Sequence, residues 1–74
     1  MMLPRDLTGR EAVRAFERAG WEWTRTKGSH AILERKGVRA HLSVPLHDQI
    51  DRGTLRTLLR YAGMTVDEFV IHLD

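Results

Sequence analysis

The feature that most restricts the fold is a set of three strand-like runs that follow one another with only short loops between them. The runs cover residues 21–26, 30–34 and 39–44. The first alternates Trp, Glu, Trp, Thr, Arg, Thr, which is the period-two pattern of a half-buried strand. Pro45 ends the third run because proline cannot donate to a ladder. Consecutive strands joined by short loops pair antiparallel, so the sequence predicts a three-stranded antiparallel meander.

Helical patterns stand on both sides of these runs. Thr8 and Glu11 have the spacing of a capping box, and the apolar residues that follow at helical spacing predict a helix over about 9–19. Asp51 is a suitable N-cap for a second helix over about 52–62, in which leucines recur every three or four residues. An isolated three-stranded sheet needs cover, and both helices can lie together on one of its faces.

A short third helix is predicted near residue 70, because Thr65 and Glu68 repeat the capping-box spacing. The resulting order is helix, three strands, helix, short helix. This is a two-layer α+β sandwich with the α-β-β-β-α order of a double-stranded-RNA-binding domain. Residues 1–74 are expected to form a single domain.

Charge is distributed unevenly along the chain, although the net charge is only +2. Residues 1–41 carry nine Lys or Arg against five Asp or Glu, whereas residues 42–74 carry three against five. A basic first half favours an anionic partner, with nucleic acid as the leading candidate. A solvated surface without such a partner is the alternative interpretation.

Composition disfavours several kinds of chemistry and location. The chain has no cysteine, so disulfides, thiolate zinc sites and thiol catalysis are excluded. No metal-ligand spacing and no nucleotide-binding glycine loop is found, so neither a metal nor a small-molecule cofactor is expected. No apolar run approaches the ~18 residues of a membrane span, and the opening residues lack the apolar core of a signal peptide. The expected location is the cytoplasm.

The second hairpin decides which side chains share the helix-free face of the sheet. If it closes on Lys36-Gly37, His30 lies opposite Ser43 and Ile32 lies opposite His41. The core side then carries the small and apolar residues Ala31, Leu33, Ala40, Leu42 and Val44. The helix-free face carries His30, Ile32, Glu34, Arg39, His41 and Ser43.

The first hairpin is expected to turn through a three-residue loop at 27–29. That loop places Trp23 beside Leu33 on the core side and puts Thr24 and Thr26 on the helix-free face. A slip of one residue reverses the faces of a strand, so this assignment depends on the length of the loop.

The segment Lys27-Gly28-Ser29-His30 concentrates chemical groups at the tip of the first hairpin. A lysine can hold a phosphate, and histidine is the side chain that transfers protons near neutral pH. A structural or simply exposed histidine is the alternative interpretation. His41 and His47 are each expected to be ordinary surface residues more than proton carriers.

The second predicted helix carries a line of arginines along one side. Arg52, Arg56 and Arg60 recur every four residues, and arginines make bidentate contacts with phosphate. The N-terminus of a helix also favours anions, although the carboxylate of Asp51 works against that here. A solvated helix face is the alternative.

Three blocks of the sequence, taken in this order, resemble the HicA-type mRNA interferase toxins. Gly20-Trp21, followed by the segment 27–30, is similar to the family's glycine-aromatic pair and its Gly-Ser-His hairpin. Val44-Pro45-Leu46-His47 is similar to the family's strand-ending valine-proline segment. Residues 53–69 are similar to its second helix and tail, so the resemblance runs from about residue 6 to residue 70.

The resemblance implies a double-stranded-RNA-binding-like fold, ribonuclease activity on mRNA, and a HicB-type antitoxin that binds the toxin and blocks it. The family's catalytic histidine corresponds to His30, and its hairpin glycine and serine correspond to Gly28 and Ser29. The chain departs from the family at Ala31-Ile32-Leu33, where members often carry an aromatic or polar residue soon after the histidine.

The sequence and the resemblance together predict a metal-independent endoribonuclease, an mRNA interferase toxin of a type II toxin-antitoxin system that acts in the stress response. His30 is the expected base, and Lys27, with Arg39 or Arg56, is the expected phosphate contact. The acid stays open between His41, His47 and water. The full set of expected RNA contacts is Lys27, Gly28, Ser29, Arg39, His41, Arg52 and Arg56. The alternatives are a non-catalytic double-stranded-RNA-binding module, which needs no proton carrier, and a protein-interaction domain.

Overall fold

The computed structural model describes residues 2–73. Its elements, in chain order, are α1 (Gly9–Arg18), β1 (Glu22–Lys27), β2 (His30–Glu34), β3 (Leu42–Pro45), α2 (Arg52–Ala62) and α3 (Val66–Ile71). The strands form one antiparallel sheet in the order β1-β2-β3. The predicted α+β architecture with a short third helix is therefore confirmed.

The helix termini follow the predicted capping residues. Thr8 and Glu11 form a complete capping box at α1, and Thr65 begins α3 with a second one. Asp51 caps α2 through a hydrogen bond that its Oδ2 accepts from the backbone N–H of Thr54 at 3.2 Å. The longest helix, α2, has 11 residues, and no helix within residues 2–73 is long and apolar enough to cross a membrane.

The core lies between the three helices and one face of the sheet. Its sheet side consists of Ala31, Leu33, Leu42 and Val44, and its helix side includes Val13, Phe16, Leu55, Leu58, Leu59 and Phe69. The rings of Phe16 and Phe69 lie 5.0 Å apart between centroids, which fixes α3 against α1. Each fully buried side chain of this kind stabilises the fold by about 1.5–3 kcal/mol.

The predicted register of the second hairpin is wrong by two residues. His30 pairs with Pro45 and Ile32 pairs with Ser43. The cause is the turn: the N–H of Val38 donates to the carbonyl of Arg35 at 3.0 Å, and only Gly37 in this turn has a positive φ, of 86°. A two-residue hairpin of type I′ needs positive φ at both central residues, and other turns splay the strands.

The longer loop changes the positions of several residues predicted to lie in the third strand. Strand β3 begins only at Leu42, so Arg39 and His41 lie in the loop before it. Ala40, predicted in the core, is exposed. A change of register by an even number of residues leaves each side chain on the same face of the sheet. Leu42 and Val44 therefore stay on the core side as predicted.

The first hairpin turns through two residues, Gly28 and Ser29, and not through the predicted three. Thr26 consequently pairs with Ala31 on the core side, so its predicted place on the helix-free face is wrong. A bulge between Trp23 and Arg25 inserts Thr24 as an extra residue. The bulge reverses the faces again, which restores the predicted pairing of Trp23 with Leu33.

Candidate active site at the first hairpin

The turn at residues 28–29 holds Lys27 and His30 side by side. Gly28 has a φ of +61°, and Ser29 does not have a positive φ, which is the pattern of a type II′ turn with glycine at its first central position. Lys27 and His30 flank the turn and pair directly across the two strands. Side chains at paired positions share a face with their Cβ atoms ~4.5–5.5 Å apart, so the ammonium and the imidazole can reach one anion.

A second imidazole lies beside His30. His47 follows β3 by two residues, and its ring centroid lies 6.2 Å from that of His30, with the two ring planes at 66°. Sequence reasoning treated His47 as one of three candidates for the acid. The signal that places it here is the register of β2 and β3, because pairing His30 with Pro45 brings the residues after Pro45 to the turn.

Two backbone hydrogen bonds hold the segment that carries His47. The N–H of Leu46 donates to the carbonyl of Ser29 at 2.8 Å, and the N–H of Gly9 donates to the carbonyl of His47 at 2.9 Å. The first bond ties the segment to the turn beside His30, and the second ties it to the first residue of α1. Both bonds use main-chain atoms, so they fix the backbone position from which the imidazole of His47 extends.

Gly9 is the residue that allows this close approach, and sequence reasoning missed it. A Cβ built on Gly9 overlaps the carbonyl oxygen of Pro45 and lies 2.8 Å from Cα of Leu46. Real Cβ atoms essentially never approach other heavy atoms this closely. A glycine at the first helical position is therefore required here by packing, and the capping pattern in the sequence does not reveal it.

Both imidazoles are accessible to a ligand. His30 is half-buried, and His47, Lys27 and Ser29 are exposed. Within residues 2–73, the side chains of the two histidines form no hydrogen bond or ion pair with the protein. The arrangement thus offers two proton carriers and one ammonium to an anion on an open surface.

The rest of the helix-free face is less polar and less basic than predicted. Ile32 is only 5% exposed there and lies between the paired residues Arg25 and Ser43. Arg25 forms an ion pair with Glu34 at 3.1 Å, which the wrong register of the first hairpin concealed. The cationic group nearest to His30 in the pairing is therefore Lys27.

The structure places Arg39 and His41 at the other end of the sheet. His41 precedes Leu42, whose partner Leu33 lies three residues along β2 from His30, which corresponds to about 10 Å at ~3.3 Å per residue. His41 instead lines a cleft of about 330 Å³ with Ser43 and Tyr61. The structure therefore separates His41 from His30, whereas His47 is brought next to it.

The arginines of α2 differ in their exposure. Arg52 is half-buried, and Arg56 and Arg60 are exposed, so the line of guanidinium groups faces solvent. At the start of this helix the carboxylate of Asp51 accepts a hydrogen bond from the N–H of Thr54. Its negative charge repels an anion that approaches the same helix end. RNA binding by Arg52 and Arg56 stays a prediction.

The acidic and imidazole side chains do not gather into a metal site. Residues 2–73 contain no group of three or more His, Cys, Asp or Glu side chains that could hold a metal ion. The chemistry that this site offers with its own residues is acid–base and electrostatic.

Comparison with known proteins connects this site to a family. The sequence model of a family described as the HicA toxin of bacterial toxin-antitoxin matches residues 9–64. The match covers more than half of the chain and includes the turn with His30, the segment with His47, and Gly9. No curated protein matched the chain.

Replacing Gly9 with Ala is expected to displace the segment at residues 45–47. The new Cβ collides with main-chain atoms, which cannot move as a flexible side chain does, so we expect a loss of about 1–3 kcal/mol, as in other overpacked sites. The free energy of unfolding measured with urea checks this, together with hydrogen exchange at the amide of Leu46.

The matched control is Gly53→Ala, a glycine in the first turn of α2. Its Cβ meets the end of one side chain and no backbone atom, at 2.9 Å from Oδ2 of Asp51. That oxygen caps α2, so moving it weakens the cap, while alanine is a better helix former than glycine by about 1 kcal/mol. Because these two effects oppose each other, the control is expected to change the free energy of unfolding less than Gly9→Ala does. Equal effects of the two substitutions would show that Gly9 is not a packing requirement.

Proposed function

The chain belongs to the HicA toxin family, and we propose that it is a metal-independent endoribonuclease that cleaves mRNA and is silenced by a HicB-like antitoxin. Family membership supports a toxin of a toxin-antitoxin system. The observation that carries the proposal is the pairing of Lys27 with His30 across a tight turn on an open face. A proton carrier beside a fixed cation is what a phosphodiester needs for cleavage by its own ribose.

The proposed reaction is attack by the 2′-hydroxyl on the adjacent phosphorus. Neutral His30 removes the proton of the 2′-hydroxyl as the O2′–P bond forms. The P–O5′ bond then breaks, and the departing oxygen takes up a proton, which leaves a 2′,3′-cyclic phosphate and a 5′-hydroxyl. General base catalysis of this kind contributes about 10²–10⁴ in rate.

Lys27 has the complementary role in the proposal. Its ammonium faces the same side of the hairpin as His30 and stabilises the charge that develops on the phosphorane oxygens. Gly28 and Ser29 form the exposed turn between the two residues, where the missing side chain of glycine lets an RNA backbone approach closely.

The remaining RNA contacts lie outside the reacting centre. Arg39 and His41 lie at the far end of the sheet, and Arg52 and Arg56 belong to the solvent-facing line on α2. In the proposal these residues bind phosphates of flanking nucleotides, because phosphate contacts position a nucleic acid without reading its sequence. An mRNA extends far beyond the cleaved linkage, so it can contact several of these residues at once.

A toxin of this family implies an antitoxin partner. We propose that the partner is HicB-like, that it covers the face carrying Lys27 and His30, and that it competes there with RNA. The site lies on an open surface formed by exposed or half-buried side chains, so a protein can cover it without opening the fold. Action in the cytoplasm, where mRNA is found, completes the proposal.

Replacing His30 with Ala is expected to reduce cleavage of RNA by about 10²–10⁴ or more, because the general base is lost. The folded protein should survive, since His30 lies outside the apolar core and surface substitutions change stability by only about ±0.5 kcal/mol. Thermal unfolding, RNA cleavage and growth arrest after induction are to be measured on the same variant.

The control for this experiment is His72→Ala, which removes another histidine at the end of α3 and should cleave as the parent does. A structural role of His30 predicts lost stability, with activity falling only as folded protein falls. A folded His30→Ala protein that cuts RNA at the parental rate would favour the non-catalytic RNA-binding module.

Replacing Arg56 with Ala is expected to weaken the salt dependence of RNA binding. Each neutralised phosphate contributes about −0.7 to −0.9 to the slope of log K against log salt, so the slope should become less steep by about one contact. Arg14→Ala removes the same charge from an exposed position on α1 and is the matched control. An unchanged slope for Arg56→Ala would place RNA elsewhere on the surface.

A further inference from the structure

We propose that His47 is the general acid that protonates the departing 5′-oxygen, so that cleavage uses a pair of histidines. The inference rests on the proposed function, because it assigns the second proton transfer of the same reaction. Its structural basis is the juxtaposition of the two imidazoles, whose ring centroids are 6.2 Å apart on a surface that also carries Lys27.

The separation of the rings suits two groups that serve opposite sides of one phosphorus atom. The attacking and departing oxygens of a phosphoryl transfer lie roughly in line, with phosphorus between them. A base and an acid must each come within ~2.6–3.2 Å of their own oxygen. The two rings therefore have to stand several ångströms apart and leave room for the phosphate, as His30 and His47 do.

The other histidines do not meet this requirement. His41 lies beyond the pair of Leu33 with Leu42, which is about 10 Å along the sheet from His30 at ~3.3 Å per residue. His72 follows α3, where its backbone carbonyl accepts a hydrogen bond from Arg18. His47 is the histidine that the structure pairs with His30 by a ring contact.

The position of His47 is fixed by the main chain, which is what an acid needs for directed proton transfer. The carbonyl of His47 accepts from Gly9, and the neighbouring N–H of Leu46 donates to Ser29 in the turn that ends at His30. The imidazole itself has no hydrogen-bond or ion-pair partner among residues 2–73. The main chain of His47 is thus held beside the turn, while the nitrogens of its imidazole stay available to substrate.

The proton balance closes with these two side chains alone. His30 takes one proton from the 2′-hydroxyl, and protonated His47 gives one to the departing 5′-oxygen as the P–O5′ bond breaks. The RNA is divided into a 2′,3′-cyclic phosphate and a 5′-hydroxyl, with no change in oxidation state. Exchange of protons with water returns both histidines to their starting forms.

A substrate with a better leaving group tests the role of His47. An RNA oligonucleotide is made in two forms at a linkage that the parent protein cuts, one with the natural 5′-oxygen and one with sulfur in its place. A thiolate leaves without protonation, so the sulfur linkage does not need an acid. His47→Ala is expected to cleave the oxygen linkage about 10²–10⁴ more slowly than the parent and the sulfur linkage at a rate close to the parental rate.

The companion variants separate this role from others. His30→Ala should be slow on both linkages, because loss of the base is not relieved by a better leaving group. His47→Asn keeps a polar side chain of similar size but cannot donate a proton in this way, so it should repeat the pattern of His47→Ala. The hydrogen bonds of Leu46 and Gly9 use main-chain atoms, so we expect both His47 variants to keep them, and thermal unfolding checks that the variants are folded.

Each other outcome overturns the inference in a recognisable way. Parental rates of His47→Ala on both linkages, or equal losses on both, would exclude His47 as the acid while leaving the ribonuclease proposal in place. A parent protein that cleaves neither linkage, nor any other RNA, would overturn the proposed function and this inference together.

Discussion

The main chain of α1 meets the main chain after β3 at Gly9, with no side chain between them, and the geometry of the site depends on that contact. The N–H of Gly9 binds the carbonyl of His47, while the adjacent Leu46 is bound to Ser29. The segment that carries His47 is thereby bonded both to α1 and to the turn of the first hairpin. The helix and the sheet pack against one apolar core. The packing of that core therefore helps to determine where the backbones of the two histidines lie relative to each other.

The site is separate from the residues that stabilise the fold. Leu33, Val44 and Phe16 face the core with essentially no exposure, whereas Lys27 and His47 are exposed. A small-molecule site usually encloses most of its ligand. An open site at one end of the sheet is better suited to a long polymer that crosses the surface, and it is also open to a protein inhibitor that binds the same face.

Much of the fold follows from local patterns in the sequence. The capping boxes at Thr8 and Thr65, the cap at Asp51 and the boundaries of α2 agree with the structure because each depends on residues within one turn. The registers of both hairpins differ from the prediction. The register of the second hairpin depends on φ at Lys36, which is not positive, and that of the first on a turn of two residues, not three. Neither turn is encoded by the alternation of apolar and polar residues.

The site was predictable only in part, for the same reason. Lys27 and His30 lie in one segment of four residues, which the sequence and the family resemblance both indicate. Their direct pairing was not predicted, because the expected loop at 27–29 included Lys27. The approach of His47 to His30 requires the correct pairing of β2 with β3 and a glycine at residue 9 that tolerates contact with Pro45. These are long-range constraints, which a reading of local patterns cannot supply.

The central claim is that side chains of this protein move protons for an attack by the ribose itself, and the ends of the cleaved RNA test it most directly. Cleavage in excess chelator, followed by mass spectrometry of the products, should give 2′,3′-cyclic phosphate and 5′-hydroxyl ends. An oligonucleotide with a 2′-deoxy sugar at the cut linkage should stay intact, because the attacking hydroxyl is absent. Cleavage of the deoxy linkage, 5′-phosphate ends, or activity that chelator abolishes and a divalent ion restores would contradict the account.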